Sequence, residues 1–253
     1  MIRVTRNEEH KPAERPYDVS CASRKLLNYP IAGPKRYSPP FEASRSRMFY
    51  SVPPVTLALI VVNTTVFLSE FLIGNILTLN LALWPLGTTA ALGGYPGFQP
   101  WQLITYSFLH ANVVHLFFNM FALYMFGGEL ERLFGQKRFL NLYFVGVITA
   151  AITQLVVSSA SGGEPYPTVG ASGGIFGLLL AYGMYFPNRT IILLIPPIPL
   201  PARLFVILYG TLELYLGVTG TQEGVAHFAH LGGMLGAWLL IQYWRGRPPF
   251  RTR

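Results

Sequence analysis

Apolar residues gather into six runs, near 54–73, 112–130, 139–158, 169–186, 203–219 and 225–244, separated by stretches richer in polar residues, glycine and proline. Each run approaches the ~20 residues that an α-helix needs to cross ~30 Å of hydrocarbon. The pattern therefore predicts an all-α chain with six spanning helices. Seams between helices are written into two of the runs. Gly173 and Gly177 stand four apart in the fourth, as do Ala229, Gly233 and Ala237 in the sixth. Small residues at this interval let membrane helices approach to backbone distance.

The segments outside the runs divide the chain. Residues 1–51 are polar, basic and proline-bearing with no sustained apolar period, which predicts a disordered tail. Residues 52–244 form the expected membrane domain, and 245–253 a second basic tail. No short apolar run with a small-residue cleavage site opens the chain, so the first span reads as a signal anchor. Met48 opens MFYSVPPVTLALIVV as a natural start, and residues 1–47 read equally as a native tail or as an extension upstream of it. The segment 74–111 carries no charge but holds Trp84, Tyr95, Trp101 and Tyr106, a composition expected of a layer partly embedded in the outer interface. The prolines of PPIPLP, 196–201, cannot continue a helix and predict a stiff linker between spans four and five.

Composition agrees with this reading. Of 253 residues, 51% are apolar and only 12% charged, against ~25% charged in a soluble domain. A multi-pass integral membrane protein follows, with the bilayer as its first partner. The net charge of +8 would suit nucleic acid, but ten Lys and Arg lie in 1–47 and four in 245–253. Such charge reads as topology, and no nucleic-acid partner is expected. Lys and Arg are absent from 74–111, 159–168 and 217–225, yet present in both tails, at Arg132, Lys137 and Arg138, and at Arg189 and Arg203. Alternate loops are therefore predicted cytoplasmic, as are both termini. The single cysteine, Cys21, excludes an internal disulfide and a four-cysteine metal site.

This topology makes spans two, four and six parallel. Counted from Asn112, Val169 and Val225, His115 and Ser172 lie three residues in, His230 five and Asn119 seven, all within ~5–10 Å of depth. Ser172 alone reads as a packing residue. Imidazoles, an amide and a hydroxyl at one depth in hydrocarbon read as a functional site. His115 and Asn119, four apart, face one way and suit an oxyanion hole. The small-residue stripes permit Ser172 to reach an imidazole of span six, as a nucleophile and its base must. Periodicity leaves both His227 and His230 open, and the side on which Gly233 and Ala237 lie favours His230. Phe176, one turn beyond Ser172, reads equally as a ring holding that imidazole and as a core aromatic. Glu129 and Glu131 read as loop anchors, while Glu213, inside span five, is a carboxylate in need of a partner.

These residues resemble the rhomboid intramembrane serine proteases. HANVVHLFFN at 110–119 matches that family's H-x4-H-x3-N, GASG at 170–173 its G-x-S-G, and AHLGG at 229–233 its catalytic-histidine motif; PWQLITYSFLH and GGELERLFG are also similar. The resemblance covers about 49–244. It implies Ser172 as nucleophile and His230 as general base in a dyad without a carboxylate. It further implies His115, Asn119 and the Ser172 N–H as oxyanion donors, with Gly170, Gly173, Phe176 and Gly233 in support. No metal or other cofactor is implied. The implied substrates are transmembrane proteins, cleaved near small residues where a helix unwinds easily, and the expected location is the bacterial inner membrane. Phe176 stands where many relatives carry tyrosine. Glu213 lies on the span associated in this family with substrate entry. An inactive rhomboid-like binding protein would lack the serine or histidine retained here. A metal protein using His110, His115, His227 and His230 lacks HExxH, and its first two histidines are five apart.

Overall fold

The structure, a computed structural model, describes residues 51–87, 96–161, 166–193, 196–220 and 226–247. The expected N-terminal tail, save Ser51, lies outside the described residues, as does 248–253. All six apolar runs are helical. In chain order the elements are α1 (Pro54–Ile73), α2 (Ile76–Leu81), α3 (Gln102–Thr105), a 3₁₀ turn (Tyr106–Phe108), α4 (Val113–Ala122), a π-helical turn (Leu123–Gly127) and α5 (Gly128–Phe134). They continue with α6 (Gln136–Ser161), α7 (Ser172–Tyr185), β1 (Thr190–Ile192), β2 (Pro199–Pro201), α8 (Ala202–Thr219) and α9 (His227–Trp244). From α4 to α5 the chain is one helix, Val113–Phe134.

By length and composition, three helices among the described residues suffice to cross a membrane: Val113–Phe134, Gln136–Ala160 and Ala202–Thr219. Pro54–Glu70 and Ser172–Tyr185 are apolar but shorter. The outer helices turn apolar side chains away from the protein. In α8 only Ala202, Val206 and Glu213 are buried, while Leu204, Ile207, Leu212 and Val218 are exposed. A surface of that kind belongs in lipid, where a helix also satisfies its own backbone.

The centre is made by α6, α7 and α9. A Cβ at Gly233 would run into the Gly173 carbonyl, and one at Gly177 would stand 3.1 Å from the Gly233 carbonyl. The α7 and α9 backbones therefore touch, as the expected stripes require. At the far ends of the same helices, Phe134 packs on Tyr185 (ring centroids 4.8 Å apart) and on Trp244 (5.7 Å). The helix from Val113 to Phe134, α7 and α9 thus run parallel.

Three expectations require correction. First, α7 begins at Ser172, not at 169. Gly170 adopts φ +127°, a conformation that L side chains rarely hold, and Thr168 pairs with Leu83 through hydrogen bonds of 2.9 and 3.0 Å. Residues 168–170 are consequently a non-helical strap ahead of the helix, and Ala171 (φ −71°, ψ −8°) turns the chain into it. Second, the linker at 196–201 includes a strand: Pro199–Pro201 pairs antiparallel with Thr190–Ile192. Proline cannot extend a helix but fits a two-stranded edge that does not need its missing N–H. Third, Trp84 and Tyr106 in the long segment are buried within the protein, 4% and 2% exposed, and only Trp101 of the four expected interface aromatics is seen exposed. Tyr95 lies outside the described residues.

The second run continues past residue 130 because its last turn has a structural task. Pro53 and Pro54 give α1 no capping side chain of its own. Glu131, 3% exposed, supplies one from α5: its Oε1 accepts from Val55 N (3.0 Å), and its Oε2 from Thr56 N (2.7 Å) and Thr56 Oγ1 (2.8 Å). A carboxylate against free N–H groups at a helix start is favoured by hydrogen bonding and by the helix dipole. Glu129 pairs instead with Arg189 at 3.0 Å on the surface. Charge-assisted hydrogen bonds contribute ~1.5–3 kcal/mol each and are not additive, so Glu131→Ala should cost about 3 kcal/mol. A thermal-unfolding midpoint in detergent unchanged by Glu131→Ala would refute this role.

Candidate active site

Ser172 is the first residue of α7, at the point where the strap turns into the helix. The strap is held from two sides, by Leu83 on Thr168 and by Gly170 N donating to Tyr106 O at 3.0 Å. The first backbone bond of α7 is Ile175 N to Ala171 O. The N–H groups of Ser172 and the two glycines after it are thus free of intrahelical partners, as at any helix start, and they stand at the positive end of its dipole. The expected depth of three residues into the helix is replaced by its first position, where a serine N–H is available to an anion.

His230 lies one turn inside α9, and the Gly173–Gly233 approach brings its ring to Ser172. His230 Nε2 is 2.8 Å from Ser172 Oγ. Phe176 fixes the plane of that ring: the two are parallel within 6°, with centroids 4.2 Å apart. On its other side Phe176 stacks on Tyr209 of α8 at 5.3 Å, and Tyr209 on Phe205 at 5.6 Å. Phe176 is therefore the support for the imidazole and not a core filler alone. The periodicity of α8 gave no sign of Tyr209.

Asn112 caps α4, accepting from His115 N at 2.9 Å, and so sets the start of the helix that carries His115 and Asn119. The His115 ring lies against the strap. A Cβ at Gly170 would stand 2.7 Å from His115 Cε1 and 2.8 Å from its Nε2, so only glycine fits between this ring and Ser172. Asn119 is buried, and its Nδ2 is a donor without a hydrogen-bond partner. Ser172, His230, His115, Asn119, Gly170 and Phe176 line one cavity of about 560 Å³. His110, which precedes α4, folds back so that its ring meets His115 edge-on at 5.1 Å. Burial, and secondarily the nearby His115, pushes His110 down to about 4, which keeps it neutral near pH 7.

The structure also brings in a residue that the motifs omit. Glu213 of α8 is buried, and its Oε2 lies 2.9 Å from His230 Nδ1 and 2.7 Å from His227 Nδ1. Behind the Ser172–His230 pair, which the resemblance implied without a carboxylate, the structure thus places one against the other ring nitrogen of His230. Glu213 was legible only as a carboxylate in an apolar span, because nothing local tells which helix a span faces. Among the described residues, Glu213, His227 and His230 are the one group of three donors close enough to hold an ion.

Chemically, the arrangement can activate a hydroxyl and offer hydrogen-bond donors to an anion formed beside it. Comparison with known proteins agrees. The rhomboid domain model matches residues 97–246. Over 138 residues the chain is 35% identical to rhomboid protease GluP of Bacillus subtilis (strain 168), covering 54% of this chain and 24% of that protein. Over 202 residues it is 25% identical to rhomboid protease GlpG of Yersinia pestis (strain Pestoides F), covering 79% and 65%. It is also 33% identical over 154 residues to presenilin-associated rhomboid-like protein A, mitochondrial, of Danio rerio, covering 58% and 39%. The chain thus spans between 24% and 65% of the length of these relatives. The matched residues 97–246 include His115, Asn119, Ser172 and His230, and the chain belongs to the rhomboid family of integral membrane proteins.

Proposed function

We propose that this protein is an intramembrane serine protease that hydrolyses peptide bonds in or beside transmembrane segments of other membrane proteins. The observation that carries the reading is the 2.8 Å contact of Ser172 Oγ with His230 Nε2 at the start of α7. Ser172 Oγ attacks the scissile carbonyl carbon while its proton passes to His230 Nε2. The carbonyl electrons move onto oxygen, where the Ser172 N–H, Asn119 Nδ2 and His115 donate hydrogen bonds to the oxyanion. Collapse breaks the C–N bond, and His230 returns the proton to the departing amine. Water then attacks the acyl-serine ester with His230 again as base; the ester C–O bond breaks and the proton returns to Ser172 Oγ. These steps need no metal or nucleotide.

In this reading the six apolar helices all span the bilayer, both termini are cytoplasmic, and the site lies in the outer third, where water can reach it. A bacterial inner (cell) membrane suits the charge pattern and the relatives in Bacillus and Yersinia. The basic segments 1–51 and 245–253 act as tails to a membrane domain at 52–244. Orientation is tested in intact cells with Cys21→Ser in the background and a membrane-impermeant thiol reagent. Leu86→Cys should be labelled and Lys137→Cys should not, and the opposite result would invert the topology.

Ser172→Ala and His230→Ala should each leave the protein folded and abolish cleavage of a model transmembrane substrate. Ser172→Ala should also end labelling by a fluorophosphonate. His227→Ala should retain a substantial fraction of activity, and activity surviving at 230 but not at 227 would move the base by one turn. Removing one oxyanion donor costs about 2.7–4 kcal/mol in a soluble protease. Asn119→Ala should therefore lower kcat by up to ~10²–10³-fold, less where the other two donors compensate. Unchanged turnover with Asn119→Ala would remove that residue from the site.

A further inference from the structure

Glu213 lies in the middle of α8, where a carboxylate is costly without partners, and it has two. The approach is built into the backbone: one turn further on, a Cβ at Gly217 would stand 3.2 Å from His227 Cβ and 3.1 Å from the Phe228 ring. The small residue lets α8 close on α9 at the level of both histidines. Two Nδ1 atoms then converge on a single oxygen, Oε2, at 2.7 and 2.9 Å. A metal site would space its donors differently, since ligands bound at ~2.0–2.1 Å on a tetrahedral ion stand about 3.3 Å apart. Separations of 2.7 and 2.9 Å are those of charge-assisted hydrogen bonds.

We propose that Glu213 is the positioning residue of a Ser172–His230–Glu213 triad, holding His230 in the tautomer with its proton on Nδ1, and that His227 in turn orients Glu213. The inference rests on the serine-protease reading for its catalytic consequence. A carboxylate can only accept, so each imidazole facing Oε2 donates from Nδ1. His230 Nε2 is then left with its lone pair directed at the Ser172 hydroxyl, the arrangement that a general base requires. When Nε2 takes the serine proton, the positive ring is stabilised by the carboxylate on its other side while the Nδ1 proton stays in place. His227 Nε2 is buried without a partner. With the His227 proton on Nδ1, the unpartnered atom is an acceptor and not a stranded N–H. The two histidines thus use one carboxylate oxygen differently: His230 passes protons, and His227 pins the same Oε2.

Glu213→Gln keeps the size of the side chain but can offer an amide N–H to Nδ1, which favours the wrong tautomer. A change of this kind lowers kcat by ~10⁴ in a soluble triad. Here kcat should fall by about a hundredfold or more with KM within about twofold, which marks a loss in the chemical step and not in substrate binding. Glu213→Asp, which keeps the charge, should recover part of that loss. The direct readout is the ¹⁵N spectrum of histidine-labelled protein in detergent, its five histidines assigned by single substitution. The wild-type protein should show His230 protonated at Nδ1 and not at Nε2, and Glu213→Gln should reverse the two. A merely structural role would leave the tautomer unmoved. Wild-type His230 protonated at Nε2, or Glu213→Gln with kcat within about threefold of wild type, would overturn the proposal. If Glu213→Gln does not fold, the wild-type spectrum decides alone. That spectrum does not depend on cleavage, so failure of the triad is distinguishable from failure of the protease reading, which Ser172→Ala and His230→Ala test.

Discussion

The contact on which the site depends is between two backbones. Where α7 and α9 cross, the Cβ that Gly233 lacks would occupy the position of the Gly173 carbonyl. Without that approach Ser172 and His230 would stand apart, each an isolated polar group in an apolar bundle. With it, they satisfy one another at 2.8 Å. Packing of small residues is the main attraction available between helices in a membrane, where lipid is as apolar as leucine. The same glycines that let the helices associate therefore assemble the chemistry.

Around this contact the structure spends rigid parts on orientation. The imidazole of His230 is held on its face by Phe176 and through its Nδ1 edge by Glu213, with Tyr209 and His227 behind those two. The serine is held by a strap that the long segment after α1 ties down at Leu83 and Tyr106. A segment that reads as interfacial decoration thus serves as a brace. Glu131 does the corresponding work at the opposite end, joining α1 to α5 where prolines leave α1 without a cap. Among the described residues, the fully buried side-chain atoms without a hydrogen-bond partner are Asn63 Oδ1, both ring nitrogens of His110, Asn119 Nδ2, the Tyr143 hydroxyl and His227 Nε2. Asn119 lines the cavity beside the serine, where the proposed chemistry would create an oxyanion.

Much of this was legible in the chain. Six apolar runs reappear as helices, since a helix satisfies its own backbone within an apolar stretch, and α1 and α8 match the expected limits to within a residue. The pairing of Ser172 with His230 was legible from the glycine stripes, since a four-residue interval records which face of a helix is bare. What local pattern could not supply was the partner of a lone group. Glu213 was visible as an anomaly, but its contact with two histidines depends on how α8 rotates against α9. The start of α7 at Ser172 depends on a glycine at φ +127° and a bridge to Leu83, far away in sequence. The proline-rich stretch could be denied a helix by its chemistry, yet only pairing with Thr190–Ile192 made its end a strand.

The sequence by itself thus determined the helices, their apolar character, their close-packing faces and the residue types at the site. These follow from backbone hydrogen bonding and from periodicity, which are local. Tertiary structure alone decided that the imidazole has a carboxylate behind it, that Ser172 opens its helix, and that Glu131 caps a helix 75 residues away. Those facts rest on the rotation and depth of one helix against another, set by the sum of many weak packing contacts that no single stretch of sequence contains.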